Sequence, residues 1–334
     1  MNCDKDYKAW NFFLDMIREG VAIIADPKGE GYYFAKGIYE YLKTKMIDVI
    51  LVDIEKFIFK DNEFKVRIMD NIRRKKCFII HDSNKNPCEW YTELNFILEA
   101  MTFSSPSEIN VVLPYTRFAR QDRKEASRVS VNSKALADMV SKYADRGMTV
   151  DLHAAQIQEF FDIPFDNLYS YPALIDFLEQ NYREILGNLV IVSPDIGGAK
   201  RAESFVKRLA RRGIKADIAI GFKTRERENI VGEIKIMGNV EGKNCLLVDD
   251  IIDTGGTMIK TAEVLKQKGA RNVFAYVTHG LFTEGTEKFG IFDKVLVSDT
   301  LNCDGNFEVV SLIRIFGEAI YRTVMGKSLS VLFD

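Results

Sequence analysis

Short apolar runs alternate with longer stretches of helical apolar spacing along almost the whole chain. The runs predict strands at Val21–Ala25, Val49–Val52, Cys77–His81, Ile109–Leu113, Met148–Leu152, Leu189–Ser193, Ala216–Ile220, Cys245–Val248, Val273–Thr278 and Lys294–Val297. Helices are expected near Tyr33–Lys43, Glu89–Thr102, Ser133–Lys142, Ala173–Tyr182, Lys200–Arg212, Thr257–Lys268 and Ser311–Val324. Such alternation predicts an α/β fold with mostly parallel sheets flanked by helices. The two halves are alike in outline, each a βαβ series with a charged loop after a central strand. Phe161–Pro172, with two prolines, is the expected hinge between them. Phe222–Gly242, rich in charge and glycine, shows no apolar period and is the expected flap.

One run carries more chemistry than the rest. From Cys245 to Met258 an apolar strand leads into Asp249 and Asp250, then a small-residue loop of Asp253, Thr254, Gly255, Gly256 and Thr257 opening a helix. Uncovered N–H groups and the positive end of a helix dipole cradle a phosphate. The paired carboxylates would repel that phosphate, so they suit sugar hydroxyls or a hydrated Mg2+. Together they suit a phosphorylated pentose. No Gly-Lys-Ser/Thr follows the glycines, which excludes a Walker A loop.

Composition narrows the classes of partner. With 46 basic against 48 acidic residues the net charge is −2, so no global field draws nucleic acid or anionic lipid. Any anion site is local. The five cysteines show no metal spacing, and Cys77 and Cys245 lie in strand-like runs, as reduced cytosolic thiols do. No apolar run approaches a membrane span and the opening residues lack a signal-peptide order. A cytoplasmic protein with no nucleic-acid or membrane partner is expected.

Further candidates lie at strand ends. His81, His153 and His279 each follow an apolar run, where open α/β sheets form their ligand crevice. His153 could ligate a metal or be a structural imidazole. Asp195 follows the strand ending at Ser193 and precedes two glycines and a helix start. A carboxylate and an imidazole completed by substrate phosphates suit Mg2+ better than zinc. Arg117, Arg120, Arg123, Lys124 and Arg128 crowd one loop, either a solvated basic face or a polyphosphate site. Lys223 and Arg225 open the flap, where mobile cations could meet developing charge and exclude water.

Taken together, FARQDRK at Phe118–Lys124, DLHAAQIQEFFDIPFDNLY at Asp151–Tyr169, VSPDIGGAKRA at Val192–Ala202, VDDIIDTGGT at Val248–Thr257 and the closing SLSVLF at Ser328–Phe333 resemble the ribose-phosphate pyrophosphokinase (phosphoribosyl-pyrophosphate synthetase) family. The resemblance implies two phosphoribosyltransferase-like domains related as a pseudo-repeat, residues 1–166 on the ATP side and 167–334 on the ribose 5-phosphate side, with the active site between them. It implies transfer of the β,γ-pyrophosphoryl group of ATP to the 1-hydroxyl of ribose 5-phosphate, releasing AMP. On this basis His153 and Asp195 bind Mg2+, Arg120 and Gln121 contact ATP, and Lys223 and Arg225 are catalytic. Phe59 would stack on adenine and Asp61, Asn62 and Glu63 would read it, from a neighbouring subunit. Asp249 and Asp253–Thr257 would hold ribose 5-phosphate. A dimer-based homo-oligomer is implied, with dimer or hexamer left open.

Some positions depart from the family pattern. Asn62 stands where the family has Gly, Glu159 where Gly follows QIQ, and Thr224 where a basic residue is common. Two rivals share part of the pattern. A phosphoribosyltransferase that consumes the product needs the loop at Asp249–Thr257 but neither FARQDRK nor the His153 motif. A regulatory paralogue would not need Lys223, Arg225, His153 and Asp195 intact.

Overall fold

The computed structural model describes residues 20–224, 233–303 and 305–332. They form two compact units: residues up to Leu168 together with Ile313–Leu332, and Tyr169–Leu312. Among the described residues no helix is long and apolar enough to cross a membrane.

The first unit is built on a seven-stranded sheet in the order β3-β2-β1-β4-β5-β6-β7. Its strands are β1 (Val21–Ala25), β2 (Val49–Ile58), β3 (Phe64–Ile68), β4 (Lys76–Ile80), β5 (Glu108–Leu113), β6 (Arg146–Val150) and β7 (Phe165–Leu168). Only β2 and β3 pair antiparallel; every other neighbour is parallel. Strands β1 and β4 are buried on both faces, which is why they read as unbroken apolar runs. Helices α1 (Tyr32–Thr44), α2 (Pro87–Phe103) and α3 (Asn132–Ser141) make the crossovers. Helix α2 has a start that its sequence dictates: Asn86 accepts from the Cys88 N–H, and Pro87 occupies the first turn, where its missing N–H costs nothing. The C-terminal helix α7 (Ile313–Val324) packs on α1, with Phe316 edge-on to Phe34 at 5.4 Å between centroids. A Cβ at Gly37 would lie 2.5 Å from Ile313, so this packing needs glycine there.

The second unit repeats the plan as β10-β9-β8-β11-β12-β13-β14. Its strands are β8 (Leu189–Ser193), β9 (Ala216–Thr224), β10 (Glu233–Met237), β11 (Asn244–Ile252), β12 (Asn272–Gly280), β13 (Lys294–Ser298) and β14 (Glu308–Val310). Again only the hairpin pair, β9 and β10, is antiparallel. Helix α4 (Tyr171–Asn181) leads in, α5 (Ala199–Arg211) follows β8 and α6 (Gly256–Gln267) follows β11. Phe205 and Leu209 of α5 pack with Leu246 and Val248, whereas Met258 and Leu265 of α6 pack with Cys245 and Leu247. The two helices therefore cover opposite faces, as right-handed crossovers to the two sides require.

The shared strand order bears out the expected pseudo-repeat of mostly parallel, helix-flanked sheets. Two segments expected to be irregular carry strand. Within Phe222–Gly242 residues 225–232 lie outside the described residues, and the described part is largely strand: β9 runs on to Thr224 and Glu233–Met237 returns as β10. Within Phe161–Pro172, Phe165–Leu168 is edge strand β7 and α4 begins at Tyr171.

Burial also sorts the histidines. His81 is 2% exposed and donates from Nε2 to the Trp90 carbonyl at 2.9 Å. Burial pushes its pKa from 6.5 down to about 4. Between those values the unfolded chain takes up a proton that the folded chain refuses. Stability should therefore fall by up to about 3 kcal/mol as the pH drops from 6.5 to 4, and not above 6.5. Thermal unfolding against pH checks this, since His81→Gln keeps a donor and should flatten that part of the decline. Cys77 and Cys245 are likewise inert, their thiols pushed up to about 12 by burial.

Candidate active site

In the second unit β8 and β11 are parallel neighbours whose helices leave to opposite faces, so a crevice opens beyond their carboxyl ends. Two loops line it. After β8, Asp195 is exposed, and one of its carboxylate oxygens accepts from the Gly198 N–H at 2.9 Å, holding the turn that starts α5. After β11 the chain passes through Asp253 and Thr254 to Gly255, whose φ of 75° sets the entry to α6. A Cβ at Gly255 would lie 2.3 Å from Phe289. A Cβ at Gly256 would meet nothing nearer than the Thr254 hydroxyl at 4.0 Å. The space beside Gly256 is thus open, and a helix leaves its first N–H groups without internal partners.

The carboxylates are more constrained than their spacing suggests. Strand β11 runs through Ile252, so Asp249 and Asp250 belong to the strand and not to the loop. Asp250 is 3% exposed. Arg201, from the first turn of α5, reaches both: its Nη1 lies 2.9 Å from Asp249 and 2.8 Å from Asp250. Burial and the adjoining Asp250 charge push Asp249 well above the usual carboxylate range, while Arg201 draws it back. Asp253 is held from another strand, accepting from the Thr283 hydroxyl in the turn after β12.

The first unit carries the basic loop. After β5 the chain turns at Phe118, with φ of 66°, and presents Arg120 and Gln121, both exposed. The Gln121 side-chain oxygen accepts from Asn132 at the start of α3, and its backbone carbonyl accepts from the Ser133 N–H and hydroxyl. That fixes the amide so that its NH2 group is turned away from Asn132. The next loop follows β6. Asp151, at φ of 42°, sends the chain outward, and the N–H groups of Asp151 and Leu152 bond to the Leu168 carbonyl and the Asn167 side chain. His153 follows, exposed, unlike His81 and His279. Gln156 donates to Asp122 at 3.0 Å and ties the His153 loop to the arginine loop.

Phe59, Asp61, Asn62 and Glu63 form the turn between β2 and β3. Phe59 is 44% exposed, the Phe59 N–H bonds to the Glu63 carbonyl, and the Glu63 N–H bonds to Asp61. Asn62 has φ of 70°, a region that asparagine tolerates next best after glycine, so its departure from the family's glycine leaves the turn intact. Strands β1 and β4 separate this turn from the arginine loop. Lys223 is the penultimate residue of β9, its backbone paired with Ile234, and Arg225 lies outside the described residues. The sequence motifs did not single out Arg201, Thr283, Gln156 or Asn132. Arg201 stood inside the VSPDIGGAKRA run and Gln156 inside DLHAAQIQEFFDIPFDNLY, so these two had a usable signal.

A sheet in this order, with an acidic strand end feeding a glycine turn at its switch point, defines the phosphoribosyltransferase fold, and residues 165–300 match the phosphoribosyl transferase domain. Residues 29–143 match the N-terminal domain of ribose phosphate pyrophosphokinase, and the chain belongs to the ribose-phosphate pyrophosphokinase family. It is 40% identical to the ribose-phosphate pyrophosphokinase of Chlorobaculum tepidum over 308 residues, 90% of this chain and 91% of that protein. Its likeness to the Brucella melitensis enzyme of the same name is also 40%, over 83% of this chain and 90% of the other. The phosphoribosylpyrophosphate synthetase structure from Mycobacterium smegmatis superposes with a TM-score of 0.80, covering 92% of this chain and 99% of that one at 27% identity.

Proposed function

We propose that this protein transfers the pyrophosphoryl group of ATP to the 1-hydroxyl of ribose 5-phosphate, giving 5-phosphoribosyl 1-pyrophosphate and AMP. The observation that carries the acceptor is the crevice at β8 and β11, where an open nest of helix N–H groups lies beside carboxylates fixed by Arg201. The nest at Thr254–Thr257 takes the 5-phosphate. Asp249 and Asp253 accept from the sugar hydroxyls, and binding energy from the phosphate end orients the distant 1-hydroxyl. Arg120 and the oriented Gln121 amide hold the triphosphate by charge-assisted bonds. The 1-hydroxyl attacks the β-phosphorus in line and AMP leaves. Lys223 and Arg225 stabilise charge as it spreads over the transferred oxygens.

Among the described residues no three His, Cys, Asp or Glu side chains form a metal cage. One carboxylate and one imidazole, at Asp195 and His153, fit Mg2+, which keeps several waters and takes one or two protein groups plus nucleotide oxygens. His153 and Asp195 would supply the protein's share, and the ion would neutralise the triphosphate. Phe59 would stack on the adenine bound by a second copy of the chain, with Asp61, Asn62 and Glu63 reading its edge, so the working form is a homo-oligomer. The two strands between this turn and the arginine loop fit that assignment.

The direct test is an AMP assay. Purified protein with ATP, ribose 5-phosphate, Mg2+ and inorganic phosphate should form AMP and 5-phosphoribosyl 1-pyrophosphate in equal amounts. No AMP under those conditions would sink the proposal. Release of pyrophosphate from the product with a nucleobase, and no AMP, would favour a phosphoribosyltransferase instead.

A further inference from the structure

We infer that Arg201 is a positioning residue for the ribose 5-phosphate site, holding Asp249 and Asp250 in one fixed arrangement; this rests on the sugar-phosphate assignment proposed above. Consecutive carboxylates in a half-buried crevice repel each other, and without a cation one of them takes a proton. Arg201 offsets that repulsion from a position that is otherwise unfavourable. It is the third residue of α5, in the first turn, where a cation opposes the helix dipole. Its contacts are directed at the acid pair: Nη1 lies within 3 Å of both carboxylates. Arg201 also ties the start of α5, just after Asp195, to the end of β11, just before Asp253. The two loops of the crevice are thereby held by one side chain. Asp249 receives a second bond from the Asp250 N–H at 2.9 Å, so its orientation is fixed from two sides.

Nη1 reaches both carboxylates, so the requirement we assign is for one cationic nitrogen at that point. A lysine ammonium can meet it, although arginine and lysine differ at forked sites. Arg201→Gln keeps hydrogen-bonding capacity and removes the charge. It should weaken ribose 5-phosphate binding, measured by calorimetry without ATP, by about 10²-fold, because two buried carboxylates lose their counterion. Arg201→Lys should stay within about fivefold of the parent affinity. In both variants KM for ATP should move by less than about twofold, since the change is confined to acceptor binding. Unchanged ribose 5-phosphate affinity in Arg201→Gln overturns the inference. So does an equal loss in Arg201→Lys, or a parallel change in KM for ATP, because either result describes a merely structural residue. If Arg201→Gln does not fold, Arg201→Lys decides: retained affinity supports the charge role and a large loss ends it. The unsubstituted protein serves as control. Failure to bind ribose 5-phosphate there removes the sugar-phosphate assignment and this inference with it, whereas normal binding with an indifferent Arg201 removes only the latter.

Discussion

Substituting Lys223 with alanine should lower turnover by about 10²–10³-fold, the usual effect of removing one donor aimed at developing charge. Binding of ribose 5-phosphate and the unfolding temperature should hardly change. The chemistry needs a cation that meets the transferred group as charge spreads over it, because the reaction offers the protein little covalent work beyond positioning and electrostatics. Lys223 stands where such a cation can be delivered. Its backbone is anchored in the ladder of β9 and β10, opposite Ile234. Phe222 and Gly221 before it pair with Lys235 and Ile236, so the β9 backbone holds its register whether or not the lysine side chain is present. The loss should thus fall on kcat and kcat/KM alike, the pattern of an interaction made in the transition state. Single-turnover AMP formation measures it directly. Unchanged turnover would remove Lys223 from the mechanism. Arg225→Ala should behave in the same direction, and the double variant should lose less than the product of the two losses, as groups that act together do.

The central strands were legible because burial on both faces leaves no polar residue in them. Val21–Ala25 and Leu189–Ser193 have the same ends in the sequence pattern and in the sheet. The edges were not. Strands β3, β7, β10 and β14 are short or half-exposed, and Phe64–Ile68 and Glu233–Met237 alternate apolar with charged residues. An edge strand lacks a neighbour on one side, so selection for an apolar run is weak. Helix α7 was visible from its spacing, but its packing on α1 depends on a contact almost three hundred residues away in the chain, the Tyr41 hydroxyl bond to Glu318 included.

The site divides along the same line. The nest at Asp253–Thr257 is local, so sequence spacing defines it. The Arg201 bridge is not, because it exists only once β8 lies beside β11. Strand ends attracted attention to three histidines, yet only burial separates His153 from His81 and His279. Nothing in the structure explains Glu159, which is exposed in a short 3-10 turn. The repeated sheet order also poses a question of asymmetry. The first unit has the matching switch point between β1 and β4, with a cavity of about 370 Å3 lined by Asp26, Asp82 and Lys85. There Lys85 bonds to Asp26 and Glu93, and Lys56 bonds to Glu89 and Glu93. Side chains already satisfy one another there, whereas the matching loop of the second unit is the one proposed to take the sugar phosphate.

The nest itself should respond very differently to one added methyl group at its two glycines. Gly255→Ala places a Cβ 2.3 Å from Phe289, at a φ of 75° that alanine adopts only at a cost. Phe289 cannot retreat, since it is buried and packed edge-on to Phe282 at 5.0 Å and to Phe307 at 6.1 Å. The left-handed backbone costs about 1–2 kcal/mol and the overpacking about 1–3 kcal/mol. Together they should lower the unfolding temperature and displace the loop, weakening ribose 5-phosphate binding by about 10²-fold or more. Gly256→Ala meets no such wall. It lies in the first turn of α6, where alanine is the better helix former by up to about 1 kcal/mol, so the unfolding temperature should hold or rise. Its methyl group instead enters the open space that the phosphate is proposed to fill, and affinity should fall by at least about tenfold because the close N–H approach is lost. Thermal unfolding and calorimetric titration with ribose 5-phosphate, run on both variants, separate the two effects. A Gly256→Ala protein that is stable and still binds ribose 5-phosphate at the parent affinity would show that the phosphate sits elsewhere. A stable Gly255→Ala protein with intact binding would mean that the loop is far softer than its aromatic floor implies.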